Sequence, residues 1–299
     1  MSDEIIPNEL QVRQAIPQRL ATELQCAHDL LKFGVNLPTS KDPHECRLPH
    51  DTVVTALALF VKASLSFRGV IALCQVGLDR SAMPVSRSLF ETTLNLVFLV
   101  RRRVSLHCFN DSKKKPKTPL PLLGMKLTPK FRTALYNAWC VLREEKSIAA
   151  WQKTPGLKRH GKGVAKNLAG IDRPYVDAIG TNWEERIKGA NTCTGLSIEN
   201  FAASLSPHFR KWYRTIYSED SKSVHQSHML NYLDADKSSG TFFPRWYTSP
   251  QDVSAALLRA STIYICCVEE MNKRFYFGLQ AKEQIKQHGA ALRNWPQSE

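Results

Sequence analysis

A chain of 299 residues is long enough to bury a sizeable core, as one large domain or two small ones. Its 43% apolar and 23% charged residues are ordinary globular usage and exclude disorder along the whole chain. Lys and Arg number 41 against 27 Asp and Glu, a formal charge of +14, which points to an anionic partner unless the basic surface is inert.

The first predicted element is a helix over Glu9–Phe33, stopped by Gly34. A polar connection with Pro38, Pro43 and Pro49 follows, so residues 1–50 read as an N-terminal helix and linker. Asp51 is a good N-cap for an apolar helix to about Val76, with Gly77 beyond it. Asp79–Met83 reads as a turn, and Pro84 suits the first turn of a helix reaching His107. Lys62, Arg68 and Glu91 interrupt these two apolar runs, so both read as buried helices of a soluble protein rather than membrane spans. Residues 109–170 read as a basic, partly loop-like insertion, with Lys113, Lys114, Lys115 and Lys117 among prolines. Within it, Thr128 and Pro129 open a helix to about Lys146. Asp172 caps a helix through Lys188, and Ile198–Met229 reads as a long helix with an interruption at Pro207. Asp234–Tyr247 reads as loop, Ser249 and Pro250 open a last long helix to Tyr276, and the tail is polar. Period-2 alternation is scarce. The expected fold is a single all-α domain, a helical bundle around an antiparallel hairpin of 51–76 and 84–107.

None of the eight cysteines forms a CxxC pair, and several sit in apolar runs, as Cys74 does. Reduced thiols in a cytoplasmic protein fit this better than a disulfide framework. The acidic start, Met1-Ser2-Asp3-Glu4, lacks the features of a signal peptide.

Two polar constellations stand out in this apolar helical sequence. Arg87, Glu91 and Asn95 are spaced four apart and form one stripe on a helix, flanked by Leu94 and Phe98. Such a pair is either an ordinary solvated ion pair or lines a cleft, where burial demands further partners. Tyr213, Tyr217, Ser221 and His225 are also four apart, so one continuous helix aligns them and lets Ser221 meet His225. His225 is then either a chemical group or a satisfied core histidine. His228 follows at three residues, but no set of carboxylate or Cys partners surrounds the pair, so no metal is expected. No Gly-rich phosphate loop, GxSxG or HExxH motif occurs, and no cofactor is expected.

Asp79-Arg80, Arg87-Ser88-Leu89-Phe90-Glu91 and the Tyr217…Ser221…Val224-His225 segment together resemble the bacterial family called domain of unknown function 5677. The resemblance covers the chain from about Asp51 to the last long helix and implies an α-helical protein with an Arg/Glu helix and a later Ser-x-x-x-His segment. A more distant likeness is to HEPN-type helical proteins, many of which look like metal-independent ribonucleases using an Arg-x4–6-His motif. Arg102 and His107 have that spacing, although Arg103 stands where a small polar group is usual. Arg214 and His225 are eleven apart, about 16 Å along one helix, too far to serve one phosphate. Ribonuclease-like chemistry therefore requires Arg87 with His225 across two helices.

Three readings stay open on these residues. In the first, the protein is RNA-directed, a ribonuclease-like toxin or defence factor. His225 is its acid/base, Arg87 binds phosphate and Glu91 orients one of them. Ser221, Tyr217 and Asn95 support the site, and Lys113, Lys114 and Lys115 hold RNA. In the second, the same set is a buried polar network in a non-catalytic interaction module. In the third, it is a ligand sensor.

Overall fold

The computed structural model describes residues 9–39, 46, 48–107, 123–124, 126–159, 162, 191–217, 233–236, 241–244 and 249–295. Within these, the fold is all-α with four short strands. The helices are α1 (Glu9–Arg19), α2 (Ala21–Asn36), α3 (His50–Gln75), α4 (Asp79–Val100), α5 (Pro129–Lys153), α6 (Ile198–Leu205), α7 (Pro207–Trp212), α8 (Pro250–Phe275) and α9 (Leu279–Arg293). The strands are β1 (Val104–Ser105), β2 (Lys126–Leu127), β3 (Leu233–Asp236) and β4 (Thr241–Pro244).

The chain separates into two units. The first comprises Met1–Arg47, Ala56–Val97 and Arg214–Glu299, and the second Leu48–Thr55 and Phe98–Tyr213.

In the first unit, α8 packs against α2 and α9. Its inward stripe, including Leu257, Ile263, Tyr264, Cys267 and Met271, is wholly buried. Tyr264 stacks on Phe67 with ring centroids 4.6 Å apart, and its hydroxyl shares a 2.8 Å hydrogen bond with Ser64. Ser64 also donates to the Phe60 carbonyl, so this hydroxyl pair is satisfied in the dry core. Tyr264 explains Gly34. That glycine does not stop a helix but lies inside α2, where a Cβ would fall 2.3 Å from Tyr264 Oη. The predicted single helix over Glu9–Phe33 is in fact two, α1 and α2.

Helix α3 matches its predicted span to one residue, and Gly77, at φ 74, makes the turn into α4. Phe67, Val70 and Cys74 face inward, while Val61 and Leu65 on the opposite side are more than half exposed. By length and composition α3 also passes as a membrane-crossing segment, the one such helix among the described residues. Helix α4 starts at Asp79, before the prediction, so Asp79–Met83 is its first turn and Pro84 lies inside it. It ends at Val100 rather than His107. Beyond the arginine run, Val104 and Leu106 alternate inward, and β1 pairs with β2 in register Val104↔Leu127 and Ser105↔Lys126.

In the second unit, Phe98, Leu99, Val100, Leu135, Trp139, Leu142, Phe201 and Phe209 form the core. Phe98 meets Phe201 edge-on at 5.2 Å. Thr52 Oγ1 and Thr133 Oγ1 share a buried 2.8 Å hydrogen bond. Thr128 caps α5 by accepting from the Phe131 amide, with Pro129 at the first position, as predicted. The helix runs on to Lys153.

The predicted helix over Ile198–Met229 is broken. Ser206 is extended and caps α7, and Tyr213–Tyr217 is a π turn, so Tyr213 and Tyr217 do not belong to one straight α-helix. The predicted Asp234–Tyr247 loop contains the antiparallel pair β3–β4. Ser249 and Pro250 open α8 as predicted, and Tyr276, left-handed at φ 47, ends it. The tail forms α9, which the polar composition concealed. The predicted Asp172 helix lies outside the described residues.

Candidate functional site

The candidate site is built on α4, in the first unit. Two turns of that helix place Arg87 and Glu91 on one side, beside a wall of fully buried Leu89, Phe90 and Leu94. Arg87 Nε donates to Glu91 Oε1 at 3.1 Å. The same Glu91 oxygen accepts from Tyr217 Oη at 2.8 Å. The Tyr217 ring is fixed from two sides. Phe90 leans on it with centroids 5.7 Å apart, and the Arg87 guanidinium carbon sits 4.8 Å from its centroid. One carboxylate oxygen thus holds both a guanidinium and a phenol, and the phenol ring carries the guanidinium on its face.

The set is neither sealed nor fully solvated. Tyr217 is 4% exposed. The Arg87 and Glu91 side chains keep 26% and 36% of their surface. Burial works against the Arg87 charge, but the hydrogen bond to Glu91, the adjacent Tyr217 and the Glu91 charge outweigh it and raise its pKa. The guanidinium is a permanent cation with a fixed direction.

Asn95 lies on the same stripe but makes a different bond. Its Nδ2 donates to the Glu91 backbone carbonyl at 2.9 Å, so it does not touch the carboxylate. Its Oδ1 is buried and has no hydrogen-bond partner among the described residues. Of the predicted site residues, the structure therefore brings Arg87, Glu91 and Tyr217 into direct contact, with Asn95 one turn away. Ser221, His225, His228, Lys113, Lys114, Lys115 and Lys117 lie outside the described residues.

Sequence reasoning missed Arg132. It is fully buried in the second unit, donating to the Leu99 carbonyl at 3.2 Å and to the Arg101 carbonyl. Its guanidinium carbon lies 5.6 Å from the Phe98 ring centroid. It satisfies carbonyls at the C-terminal end of α4, where helices leave acceptors without intrahelical partners. A signal was present: Arg132, Leu135, Trp139 and Leu142 follow a 3–4–3 spacing, which puts Arg132 on the inward stripe of α5.

Thiol chemistry is not favoured at the described buried cysteines. Burial, with Asp79 adding to it, pushes Cys74 up to about 12, and burial raises Cys193 and Cys267 as well. Among the described residues no three His, Cys, Asp or Glu come close enough to hold a metal ion.

A family model, the family of unknown function DUF5677, matches residues 53–241 and so spans Arg87, Glu91, Asn95 and Tyr217. The chain belongs to this family. No curated protein matches the chain, and no solved structure does.

Proposed function

We propose that this DUF5677 protein acts on RNA, with metal-independent, ribonuclease-like chemistry at the Arg87–Glu91–Tyr217 site. The observation that carries the reading is the half-open Arg87 guanidinium, held in a fixed direction by Glu91 and by the Tyr217 ring. A cation pre-oriented at the edge of an apolar wall suits a phosphodiester, because little of its rotamer freedom remains to be lost on binding. In this reading Arg87 binds the phosphate, Glu91 and Tyr217 position Arg87, and His225 moves the proton of a ribose hydroxyl. Asn95 lies one turn further along α4, and Ser221 and His225 follow Tyr217 by four and eight residues of sequence.

The second reading is a structural polar network in a helical interaction module. It is favoured by the burial of Tyr217 and by Glu91 satisfying both of its described partners internally.

Incubation of the purified protein with mixed RNA in EDTA separates the two. Cleavage that His225→Ala and Arg87→Ala both abolish, at unchanged melting temperature, is the catalytic outcome. No cleavage, with Arg87→Ala lowering stability alone, leaves the structural network.

A further inference from the structure

The positive charge of this protein is not spread evenly. The second unit, Leu48–Thr55 and Phe98–Tyr213, contains 22 Lys and Arg against 9 Asp and Glu, a net +13. The rest of the chain contains 19 against 18, a net +1. Nearly all of the +14 therefore belongs to one unit. An asymmetry of this size marks a surface for a polyanion.

The structure separates the basic groups that have internal duties from those that do not. Arg132 is buried on the Leu99 and Arg101 carbonyls. Arg101 donates to the Leu205 carbonyl and lies over Phe209. Arg210 pairs with Glu199 at 3.7 Å. These three hold the fold. Arg102, Arg103, Lys126 and Lys130 are exposed and have no carboxylate in their own stretches, since neither Phe98–His107 nor Lys126–Arg143 contains an Asp or Glu.

The β1–β2 ribbon sets their direction. From residue 103 to 107 burial alternates strictly: Arg103 and His107 are exposed, Ser105 is intermediate, and Val104 and Leu106 are buried. On the paired strand Lys126 is exposed opposite Ser105, and Leu127 is buried opposite Val104. Strand geometry therefore puts Arg103, Ser105, His107 and Lys126 on one outward face, with Arg102 before β1 and Lys130 in the first turn of α5 flanking it.

We infer that this outward face of the β1–β2 ribbon, with Arg102, Arg103, Lys126 and Lys130, binds the phosphate backbone of a nucleic acid. Charge complementarity selects a polyanion. A lipid surface fits less well, because among the described residues none of the large exposed hydrophobic side chains lies on the ribbon to enter a bilayer. Among the described residues of the ribbon no Phe, Tyr or Trp is exposed and His107 is the one exposed ring, so contact is mainly with the backbone and largely independent of sequence, as suits a helical duplex region. The proposal rests on the RNA reading for the identity of the ligand, and on charge and strand geometry for its location.

The test is binding of a labelled RNA hairpin by fluorescence anisotropy over a salt series, in EDTA. Wild-type affinity should fall as salt rises. Arg102→Ala, Arg103→Ala, Lys126→Ala and Lys130→Ala combined should weaken binding about tenfold or more at low salt. The logarithmic salt slope should become shallower by about 0.7–0.9 for each phosphate contact removed. Lys126→Ala with Lys130→Ala alone should show part of the same change, should the fourfold variant fold poorly. A matched variant with Lys32, Lys62, Lys282 and Lys286 changed to Ala removes equal charge from the first unit and should bind like wild type. Unchanged affinity in the ribbon variants, equal loss in the matched variant, or preference for phosphatidylserine vesicles over the hairpin would overturn the proposal. Ribbon-dependent binding without cleavage keeps this surface and sinks the ribonuclease reading. Cleavage with unaltered binding by the ribbon variants does the reverse.

Discussion

Arg87 and Arg132 are both arginines on long helices beside buried apolar side chains, and they behave in opposite ways. Arg132 has no exposed surface, and its described hydrogen bonds go to main-chain carbonyls at the end of α4. Arg87 keeps a quarter of its surface and is held by the side chains of Glu91 and Tyr217. A cation that closes a helix end is part of the fold. A cation aimed by side chains and left partly exposed sits where a ligand can reach it. Burial and the kind of acceptor, rather than residue type, divide structural from candidate functional charge here.

The largest effect expected from this contrast is at Arg132. Arg132→Met leaves the Leu99 and Arg101 carbonyls without their donor in a dry environment and should destabilise the protein by about 2–4 kcal/mol. Arg87→Met should cost about 1 kcal/mol or less, because the Glu91 carboxylate it leaves behind keeps 36% of its surface and reaches water. Urea denaturation of the two variants measures both, and equal losses would erase the distinction.

Gly34→Ala tests the sealed side within the first unit. The new methyl meets Tyr264 Oη and pushes the ring off Ser64 and Phe67. The expected cost is about 1–3 kcal/mol of overpacking, read from the thermal midpoint. A neutral result would mean that the Tyr264 site yields readily.

Tyr217→Phe sharpens the open side. The ring contacts to Phe90 and Arg87 remain, and the bond to Glu91 is lost, for about 0.5–1.5 kcal/mol. If the RNA reading holds, this variant should lose more cleavage than stability, because the Glu91 carboxylate that aims Arg87 is then no longer anchored by the Tyr217 hydroxyl.

The smallest effect concerns His288 on α9, which stacks on Phe33 at 5.2 Å. Burial lowers its pKa below the ordinary 6.5, against a smaller opposing effect of Asp29. The unfolded chain then takes up the proton first as pH falls, so the contribution is present above pH 6.5 and is lost progressively below it. His288→Gln should flatten stability against pH in that window, and an unchanged profile would assign the slope to other groups.

What the sequence made legible was local. Ser249-Pro250 and Thr128-Pro129 announce helix starts through an N-cap oxygen and a proline that needs no amide partner. The α3–α4 hairpin is readable from Gly77 and two apolar runs, although Asp51 lies in the first turn of α3 rather than capping it, and the Arg87–Glu91 pair is readable from its spacing of four. The end of α4 was not legible, because helix and strand compete for Arg101–His107 and pairing with Lys126–Leu127 decides between them. Helix α9 was hidden for a related reason. Only Ala281 and Leu292 of its length are buried, too few to give a periodic signal.

By itself, the chain's own order of apolar runs, caps and breakers determined an all-α protein with its main helices in the right places, since those depend on interactions within a few residues. Tertiary structure alone decided that Gly34 makes room for Tyr264, that Arg132 closes the end of α4, and that Tyr217 reaches Glu91 across 126 residues of sequence. Each of these depends on which distant side chain fills a particular space, and no local propensity records that.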